Sequence, residues 1–323
     1  MISYAQNHED VLLERCFKGS TEGFFIDVGA WEPVDQSVTN HFSSRGWRGI
    51  NVEPVPEYFA RLQAARPRDI NLQCALGAHT GTRSLTVIEN SGLSTMGPMH
   101  QTFLDELGQV GYENRVIEVV ETTLAEVCAT HVPKGVTIDF LKVDVEGSEG
   151  EVLRGGDWEH FRPRVLVVEA MVPVGIDAES GWPIVEQHID DWQPMLLENG
   201  YLFAANDGLN CFYVRKEESE LLSHFALPVN VFDDYVPYAV QAAEENLSQA
   251  RVDIDAIERA NKVLEHELGG LADQLEASVR SVEALKVALA QSEGQRAAMV
   301  ASHSWRLTAP IRAVADRLRR RPT

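Results

Sequence analysis

The chain has 323 residues, 44% of them hydrophobic, which is enough for one sizeable α/β domain and an appendage. Its formal net charge of −21 argues against a general nucleic-acid binder, because contacts to phosphates need clustered Lys and Arg. The four cysteines are scattered, with no Cys-x-x-Cys pair and no zinc-type His spacing, so we expect reduced thiols in a cytoplasmic protein.

Residues 24–77 alternate between strand and helix patterns. A short apolar run closed by Gly29 is typical of a buried parallel strand. The predicted elements are a strand over 24–28, a helix over 37–45, a strand over 47–52, a helix over 56–65 and a strand over 70–76. This β-α-β-α-β order implies a parallel sheet with right-handed crossovers.

The pattern continues to about residue 215. The predicted elements are strands over 82–89, 115–121, 137–143 and 164–168, helices over 149–154 and 184–199, and a hairpin of 201–205 with 211–215. Asn206, Asp207 and Gly208 suit the turn of that hairpin. A mostly parallel sheet that ends in an antiparallel hairpin is, by analogy of fold, the class I Rossmann-like methyltransferase sheet.

A heptad pattern begins at Ile254, and no proline interrupts residues 238–309. The pattern predicts a C-terminal coiled-coil helix, with a single long helix folded back on the domain as the alternative. The a positions are Ile254, Asn261, Leu268, Leu275, Val282 and Leu289, and the d positions are Ile257, Leu264, Leu271, Ser278 and Leu285. Because Asn at an a position fixes register and favours a parallel dimer, we expect a homo-oligomer.

The end of the chain is basic, with six Arg and one Asp from Ser302 onward. Pro310 can begin a short helix there. The apolar residues that would share one face of it are Ile311, Val314, Ala315 and Leu318. This predicts a peripheral anchor at an anionic membrane surface or a helix that docks on a partner, with a solvated disordered end as the alternative.

The segments together suggest four parts. We predict an α/β domain over 1–216, a linker over 217–240, a coiled coil over 241–300 and a basic amphipathic tail over 301–323. Residues 1–6 do not show the pattern of a secretion signal, and no run of about 18 apolar residues predicts a membrane span. We therefore expect a cytoplasmic location, with the tail at the inner face of the membrane.

The loop after the first parallel strand is a candidate ligand site. Gly29 lets the backbone turn tightly against a ligand, and Asp27 at the strand end can accept hydrogen bonds. Ala30 follows where a dinucleotide site needs more glycines, which argues against a nicotinamide cofactor. Glu53, after the next strand, can bind both ribose hydroxyls of an adenosine ligand. The other predicted cofactor contacts are Pro54, Cys74 and Ala75.

An acidic segment follows the apolar run 140–143. Asp144 comes at the carboxyl edge of the predicted sheet, where open α/β folds bind ligands, and Glu146 follows it. Three carboxylates within six residues, with Glu149 as the third, need a positive partner: a metal, a cationic ligand such as a sulfonium, or Lys142. Glu149 by itself suits the N-terminus of the helix that starts there.

These motifs resemble a known family. Lys142–Glu149 together with Val152–Gly155 resembles the signature of FkbM-type methyltransferases, and Ser3–Leu12 resembles the usual start of that family. The stretch from Phe25 to Pro54 resembles its cofactor half, although Trp31 stands where the family often has Asn. The resemblance covers about residues 3–215. The stretch 304–310 resembles the ends of some bacterial polysaccharide glycosyltransferases.

The resemblance implies S-adenosylmethionine-dependent O-methylation of a sugar or glycan acceptor in polysaccharide, lipopolysaccharide or glycolipid biosynthesis. A glycosyltransferase or the membrane surface would then be the neighbour of the tail. We expect Asp144 to act as general base or as ligand of a divalent metal such as Mg²⁺, supported by Glu146 and Glu169. The alternatives are a methyltransferase for a small metabolite, lipid or peptide, and a non-catalytic scaffold of a glycan-assembly complex.

Overall fold

The computed structural model of the chain describes residues 1–89, 91–96, 105, 107–108, 111–177 and 183–312, apart from the side chains of Val172, Pro173, Ile176 and Pro183. The chain forms two compact units, one over Met1–Ala243 and a second that begins at Glu244. The first unit holds the strands, and the second is helical.

The strands are β1 (Ile2–Ser3), β2 (Phe24–Val28), β3 (Arg48–Val52), β4 (Ile70–Leu72), β5 (Ala75–Gly77), β6 (Gly81–Ile88), β7 (Asn114–Thr123), β8 (Phe140–Val143), β9 (Val165–Glu169), β10 (Met171–Ile176), β11 (Pro183–Gln187), β12 (Tyr201–Asn206), β13 (Asn210–Arg215) and β14 (Val236–Pro237). The α-helices are α1 (Glu9–Phe17), α2 (Asn40–Ser44), α3 (Pro56–Ala65), α4 (Leu124–His131), α5 (Glu149–Arg154), α6 (Gln193–Glu198), α7 (Tyr238–Ala301) and α8 (His303–Leu307).

A seven-stranded sheet with strand order β12-β13-β9-β8-β2-β3-β4 forms the centre of the first unit. Five neighbouring strands of this sheet run parallel to one another, namely β4, β3, β2, β8 and β9. Strand β13 is antiparallel to β9, and β12 is antiparallel to β13. Val28 lies beside Val52 and Val143 in the register, and Val143 lies beside Val168. The mixed α/β fold predicted from the sequence is confirmed, and the carboxyl ends of four neighbouring strands meet at one edge.

Both faces of this sheet are covered, so its inner strands are buried at nearly every residue. One face packs an aromatic cluster, and the other packs a larger, mostly aliphatic cluster. The aromatic members of the first cluster are Phe17, Phe25, Phe42, Trp47, Phe140, Phe212 and Phe225. Burial on both sides explains why the inner strands read as continuous apolar runs without alternation.

A second, three-stranded sheet has the order β5-β7-β6. The predicted strand over 70–76 is therefore two short strands, β4 and β5, which belong to different sheets. Leu85 and Val87 of β6 and Val119 of β7 pack with Val55 and Tyr58 at the start of α3. This contact places the small sheet against the loop that follows β3.

The helix predicted over 184–199 is shorter than expected. The structure has strand β11 in its first part, paired antiparallel with β10, and only α6 in its second part. β-Branched Ile184 and Val185 favour a strand, and the pairing supplies hydrogen-bond partners for the backbone of β10. The helical interpretation of the first four residues was wrong for that reason.

The segment 217–240, predicted as a linker, joins the first unit. Two 3-10 helices lie here, one over Lys216–Phe225 and one over Val231–Asp233. Leu221 and Phe225 of the first are buried in the aromatic cluster. Arg15 of α1 forms a two-pronged ion pair with Asp233 at 2.6 and 2.7 Å. The boundary of the compact unit therefore lies near residue 243.

Helix α7 is a single helix of 64 residues that contains all the predicted heptads. Its a and d side chains are exposed in the single chain, for example 55% for Ile254 and 70% for Leu285. Among the described residues, no helix is both long enough and apolar enough to cross a membrane. Residues 313–323 of the predicted basic tail, which include Val314, Ala315 and Leu318, lie outside the described residues.

Candidate active site

A cavity opens at the carboxyl edge of the central sheet. Of the predicted cofactor residues, five line it, as does the predicted catalytic Asp144. Those five are Gly29, Glu53, Pro54, Cys74 and Ala75. Asp27 and Ala30 do not line it. The sequence therefore located part of one continuous surface, which is drawn from the ends of β2, β3 and β8 and from β5 and β6.

Gly29 forms the tight turn after β2. Its φ is +77°, and a Cβ atom at this position would overlap the backbone carbonyl oxygen of Asp144. The N–H groups of Gly29 and Ala30 both donate to the carbonyl oxygen of Val52, at 3.0 and 3.1 Å. Glycine is therefore required here both for its backbone conformation and for the close approach of two strand ends.

Glu53 holds the loop that borders the cavity. Its Oε2 accepts a hydrogen bond from the N–H of Trp31 at 2.9 Å, and its Oε1 accepts one from the N–H of Val55 at 2.8 Å. Burial raises the pKa of Glu53 to about 7 even though both hydrogen bonds act to lower it. This carboxylate shapes the loop, and its predicted contact with ribose hydroxyls stays a prediction.

Asp27 is a predicted cofactor residue that does not line the cavity. It is buried, its Oδ2 accepts a hydrogen bond from Thr39 Oγ1 at 2.7 Å, and its Oδ1 lies 3.4 Å from Lys142 Nζ. Asp27 therefore supports the loop after β2 through Thr39 and Lys142, and its predicted contact with a cofactor stays a prediction.

Lys142 is a site residue that sequence reasoning named only as a possible counter-charge. Its Nζ donates to the carbonyl oxygen of Gly29 at 2.7 Å and lies 3.2 Å from Asp144 Oδ2. Burial acts to lower the pKa of Lys142, but the carboxylates of Asp144 and Asp27 raise it above its ordinary value. The signal in the sequence was a lysine inside an otherwise apolar strand, which needs buried carboxylate partners.

Two aromatic side chains on the cavity wall were not predicted. Trp31 and Tyr58 both line it, with ring centroids 6.3 Å apart in an edge-to-face arrangement. Trp31 has a φ of +43°, which the hydrogen bond from its N–H to Glu53 helps to hold. The sequence feature that could have predicted an aromatic cavity wall is Trp31 itself, a large aromatic residue two positions after the turn glycine.

The three predicted catalytic carboxylates meet at one point. Asp144, Glu146 and Glu169 each bring one oxygen within 4.8 Å of the others. Glu146 has a φ of +54°, and its carbonyl oxygen accepts a hydrogen bond from Thr95 Oγ1 at 2.5 Å. Burial, and then the neighbouring carboxylates, raise the pKa values of Glu146 and Glu169 well above the ordinary range.

Glu149 stabilises the turn between β8 and α5. Its Oε1 accepts hydrogen bonds from the N–H groups of Val145 and Gly147, at 3.0 and 3.1 Å. Burial raises its pKa to about 7. The side chain thus fixes the loop that carries Asp144 and Glu146, consistent with its expected place at the start of a helix.

A family model described as the Methyltransferase FkbM domain matches residues 27–203, which is more than half of the chain. The chain belongs to the FkbM methyltransferase family. The matched segment of this FkbM-family chain contains the turn glycine, Glu53, Lys142 and the three carboxylates. The resemblance of this segment to FkbM-type methyltransferases is therefore confirmed, whereas those of Ser3–Leu12 and of residues 304–310 lie outside the match.

Individual relatives are more distant. The chain is 36% identical over 123 residues to "Methyltransferase sdnD" of Sordaria araneosa, an alignment that covers 32% of this chain and 48% of that protein. The chain thus spans about half the length of the curated relative it matches.

Two solved structures also align with the chain. One is a methyltransferase FkbM from Methylobacillus flagellatus, with 16% identity, 61% of this chain and 44% of that chain covered, and a TM-score of 0.35. The other is a TehB-like SAM-dependent methyltransferase from Corynebacterium glutamicum, with 10% identity, 64% and 88% covered, and a TM-score of 0.30. The family assignment rests on the family model.

Proposed function

We propose that this FkbM-family chain is an S-adenosylmethionine-dependent O-methyltransferase with a class I Rossmann-like sheet. The observation that carries the proposal is the meeting of two surfaces at one sheet edge. One is the cavity lined by Gly29 and Glu53, and the other is the carboxylate group of Asp144, Glu146 and Glu169. Asp144 belongs to both, so a bound cofactor and a polar acceptor can meet beside it.

This geometry gives the cavity residues and the carboxylates separate roles in the proposed reaction. When bound, S-adenosylmethionine supplies an electrophilic methyl group on a sulfonium. Gly29, Glu53 and Trp31 shape the pocket and so align that group, which supplies much of the rate in an in-line displacement. Asp144 assists the loss of the acceptor hydroxyl proton as the new oxygen–carbon bond forms and the methyl–sulfur bond breaks, and Lys142 holds the Asp144 carboxylate in place.

The acceptor class is part of the proposal. A sugar hydroxyl in surface polysaccharide, lipopolysaccharide or glycolipid biosynthesis is supported by the likeness of the motifs to the FkbM family and by a polar, carboxylate-rich edge that suits hydroxyl groups. Methyl transfer from labelled cofactor to a panel of glycans and nucleotide sugars, set against lipid, peptide and small-metabolite acceptors, tests this. Transfer to only the second group would refute a sugar acceptor.

Cofactor affinity provides the direct test of the cavity. In wild-type Glu53, the two carboxylate oxygens accept hydrogen bonds from the backbone N–H groups of Trp31 and Val55. Glu53→Gln replaces one of these oxygens with an NH₂ group, which cannot accept, and so disturbs the loop. An unsatisfied buried donor costs about 1–3 kcal/mol, so we expect S-adenosylmethionine to bind about tenfold or more weakly. Isothermal titration calorimetry measures this. Exposed Glu159→Gln is the matched control, and equal affinity of the two variants would place the cofactor elsewhere.

We further propose that two copies of the chain pair through the heptad face of α7. The a and d side chains form an apolar stripe along a helix of 64 residues, and that stripe is exposed in the single chain. A strict a and d stripe is the pattern of a coiled-coil seam, and Asn261 in that stripe favours a defined register with a second identical helix. A second copy of this chain is thus the occupant that the pattern fits.

Two valines on the same part of α7 allow a matched test. Val282 occupies an a position, whereas Val287 lies at an f position on the opposite face, and the two are 49% and 58% exposed. We expect Val282→Asp to shift the chain from dimer to monomer in sedimentation experiments, because it buries a charge in the seam. Val287→Asp should remain dimeric. Equal behaviour of the two variants would contradict pairing along this face.

The location of the protein is also a proposal. We place it in the cytoplasm, with the basic tail at the inner membrane face or against a glycosyltransferase. Support comes from the exposed side chains of the described part of the tail, such as Leu307 at 78% and Ile311 at 70%, beside Arg306 and Arg312. Fractionation of cells that express the full chain and a chain without residues 301–323 would show whether the tail is needed.

A further inference from the structure

We propose that Asp144, Glu146 and Glu169 bind a divalent cation of the Mg²⁺ or Mn²⁺ type, which would hold the acceptor oxygen in the reaction proposed above. One oxygen of each carboxylate lies within 4.8 Å of the others, so small rotations of these side chains can bring all three onto a single ion. The three residues come from the ends of two neighbouring parallel strands, β8 and β9, and from the turn after β8. The role of the ion in catalysis rests on the proposed function, but its binding does not.

Glu169 supplies an independent observation. It is only 7% exposed, and its Oε2 is buried without a hydrogen-bond donor among the described residues. Its backbone is fixed in the ladder, because Glu169 pairs with Asn210 on one side at the last residue of β9. A buried carboxylate oxygen that has no donor is costly, and a cation in the group would satisfy it.

The charges around the group favour a cation of more than one charge. Asp27, Asp144, Glu146 and Glu169 carry four negative charges when ionised, and Lys142 offsets one of them. Lys142 is held by the Gly29 carbonyl and by the carboxylates of Asp27 and Asp144, so much of its charge is already shared with groups outside the pair Glu146 and Glu169. Glu149, which is also buried beside Glu146 and Glu169, adds to the negative charge that remains, and a divalent ion would offset more of it than a monovalent one.

The donor set selects the kind of ion. All three donors are carboxylate oxygens, which are the ligands preferred by Mg²⁺ and Mn²⁺, whereas Zn²⁺ sites usually include His or Cys. Mg²⁺ usually keeps several waters, and an acceptor oxygen can replace one of them. Because Asp144 also lines the cavity, the ion would lie at the cavity edge and lower the pKa of an acceptor hydroxyl bound to it.

Binding of Mn²⁺ to the full chain tests the proposal without any acceptor. We expect the electron paramagnetic resonance signal of free Mn²⁺ to fall with a stoichiometry of one ion per chain, and Mg²⁺ to compete. Glu169→Gln should weaken Mn²⁺ by about tenfold or more, since even the loss of an outer-shell partner costs 10–100-fold in metal affinity. Exposed Glu159→Gln removes the same charge elsewhere and should bind Mn²⁺ like the wild-type chain.

Thermal unfolding gives a second readout in case a variant folds poorly. Mn²⁺ should raise the Tm of the wild-type and Glu159→Gln chains but not that of Glu169→Gln. The measurements are made with and without S-adenosylhomocysteine. Absence of Mn²⁺ binding under both conditions, or equal binding by all three chains, would overturn the metal site. Binding of S-adenosylmethionine by calorimetry stands apart from both results, so failure of the metal site and failure of the proposed function can be told apart.

Discussion

Asp144→Asn is expected to lower kcat by about 10²–10⁴-fold, the usual contribution of a positioned proton acceptor, while S-adenosylmethionine binds almost as before. The change keeps the size of the side chain but removes the charge that lies 3.2 Å from Lys142 Nζ and beside Glu146 and Glu169. An amide at this point can neither take a proton from an acceptor hydroxyl nor bind a cation as a carboxylate does. Single-turnover methyl transfer to the best acceptor of the panel measures the loss.

Binding and chemistry must be measured together for this variant. Calorimetric titration with S-adenosylmethionine separates the loss of turnover from the loss of the cofactor. Asp273→Asn, at an exposed f position of α7, removes the same charge from a residue outside the seam and should leave kcat and affinity unchanged. Normal turnover of Asp144→Asn would show that this carboxylate is needed neither as a proton acceptor nor as a metal ligand.

The sheet edge was predictable from the sequence because it depends on order and burial. Alternating strands and helices imply parallel strands, and an apolar run that ends in Asp144 or Glu169 places both carboxylates at the same edge. The structure bears out this placement. The sequence left open whether the strands of Asp144 and Glu169 are neighbours, and the structure shows that they are.

Features that depend on contacts across the sheet were missed. Lys142 joins the Gly29 carbonyl to two carboxylates, and nothing in its local sequence shows which strand lies beside it. Asp27 was expected to accept hydrogen bonds at a strand end, but its contacts with Thr39 and Lys142 could not be foreseen from the sequence. Long-range packing decides such assignments, and a spacing pattern does not contain it.

Local composition also misled in one segment. Residues 217–240 begin with Glu217 and Glu218 and look like a solvated linker, yet Leu221 and Phe225 fit into the aromatic cluster of the first unit. Because most residues around them are polar or charged, the sequence does not indicate that Leu221 and Phe225 are buried. Two apolar positions in a stretch rich in charged residues are too few to predict burial, which depends on the aromatic cluster formed by distant parts of the chain.

Gly29→Ala is expected to abolish cofactor binding and to lower the free energy of unfolding by more than the cost of its backbone conformation alone. An L-residue in the left-handed region costs about 1–2 kcal/mol. At Gly29, the added Cβ would also overlap the backbone oxygen of Asp144, so the ends of β2 and β8 would have to separate. That movement would displace the carbonyl that Lys142 binds and widen the cavity beside Glu53.

Gly135→Ala separates the two costs. Gly135 has nearly the same φ, +79°, but a Cβ there meets nothing within 4 Å, so only the conformational cost of about 1–2 kcal/mol applies. Denaturant unfolding and S-adenosylmethionine titration of both variants should therefore differ: Gly135→Ala loses a little stability and keeps its affinity, whereas Gly29→Ala loses both. Equal stability of the two variants, with cofactor binding by both, would contradict this prediction. The close approach of Gly29 to Asp144 would then not be required, and the ends of β2 and β8 could separate without loss of the cofactor site.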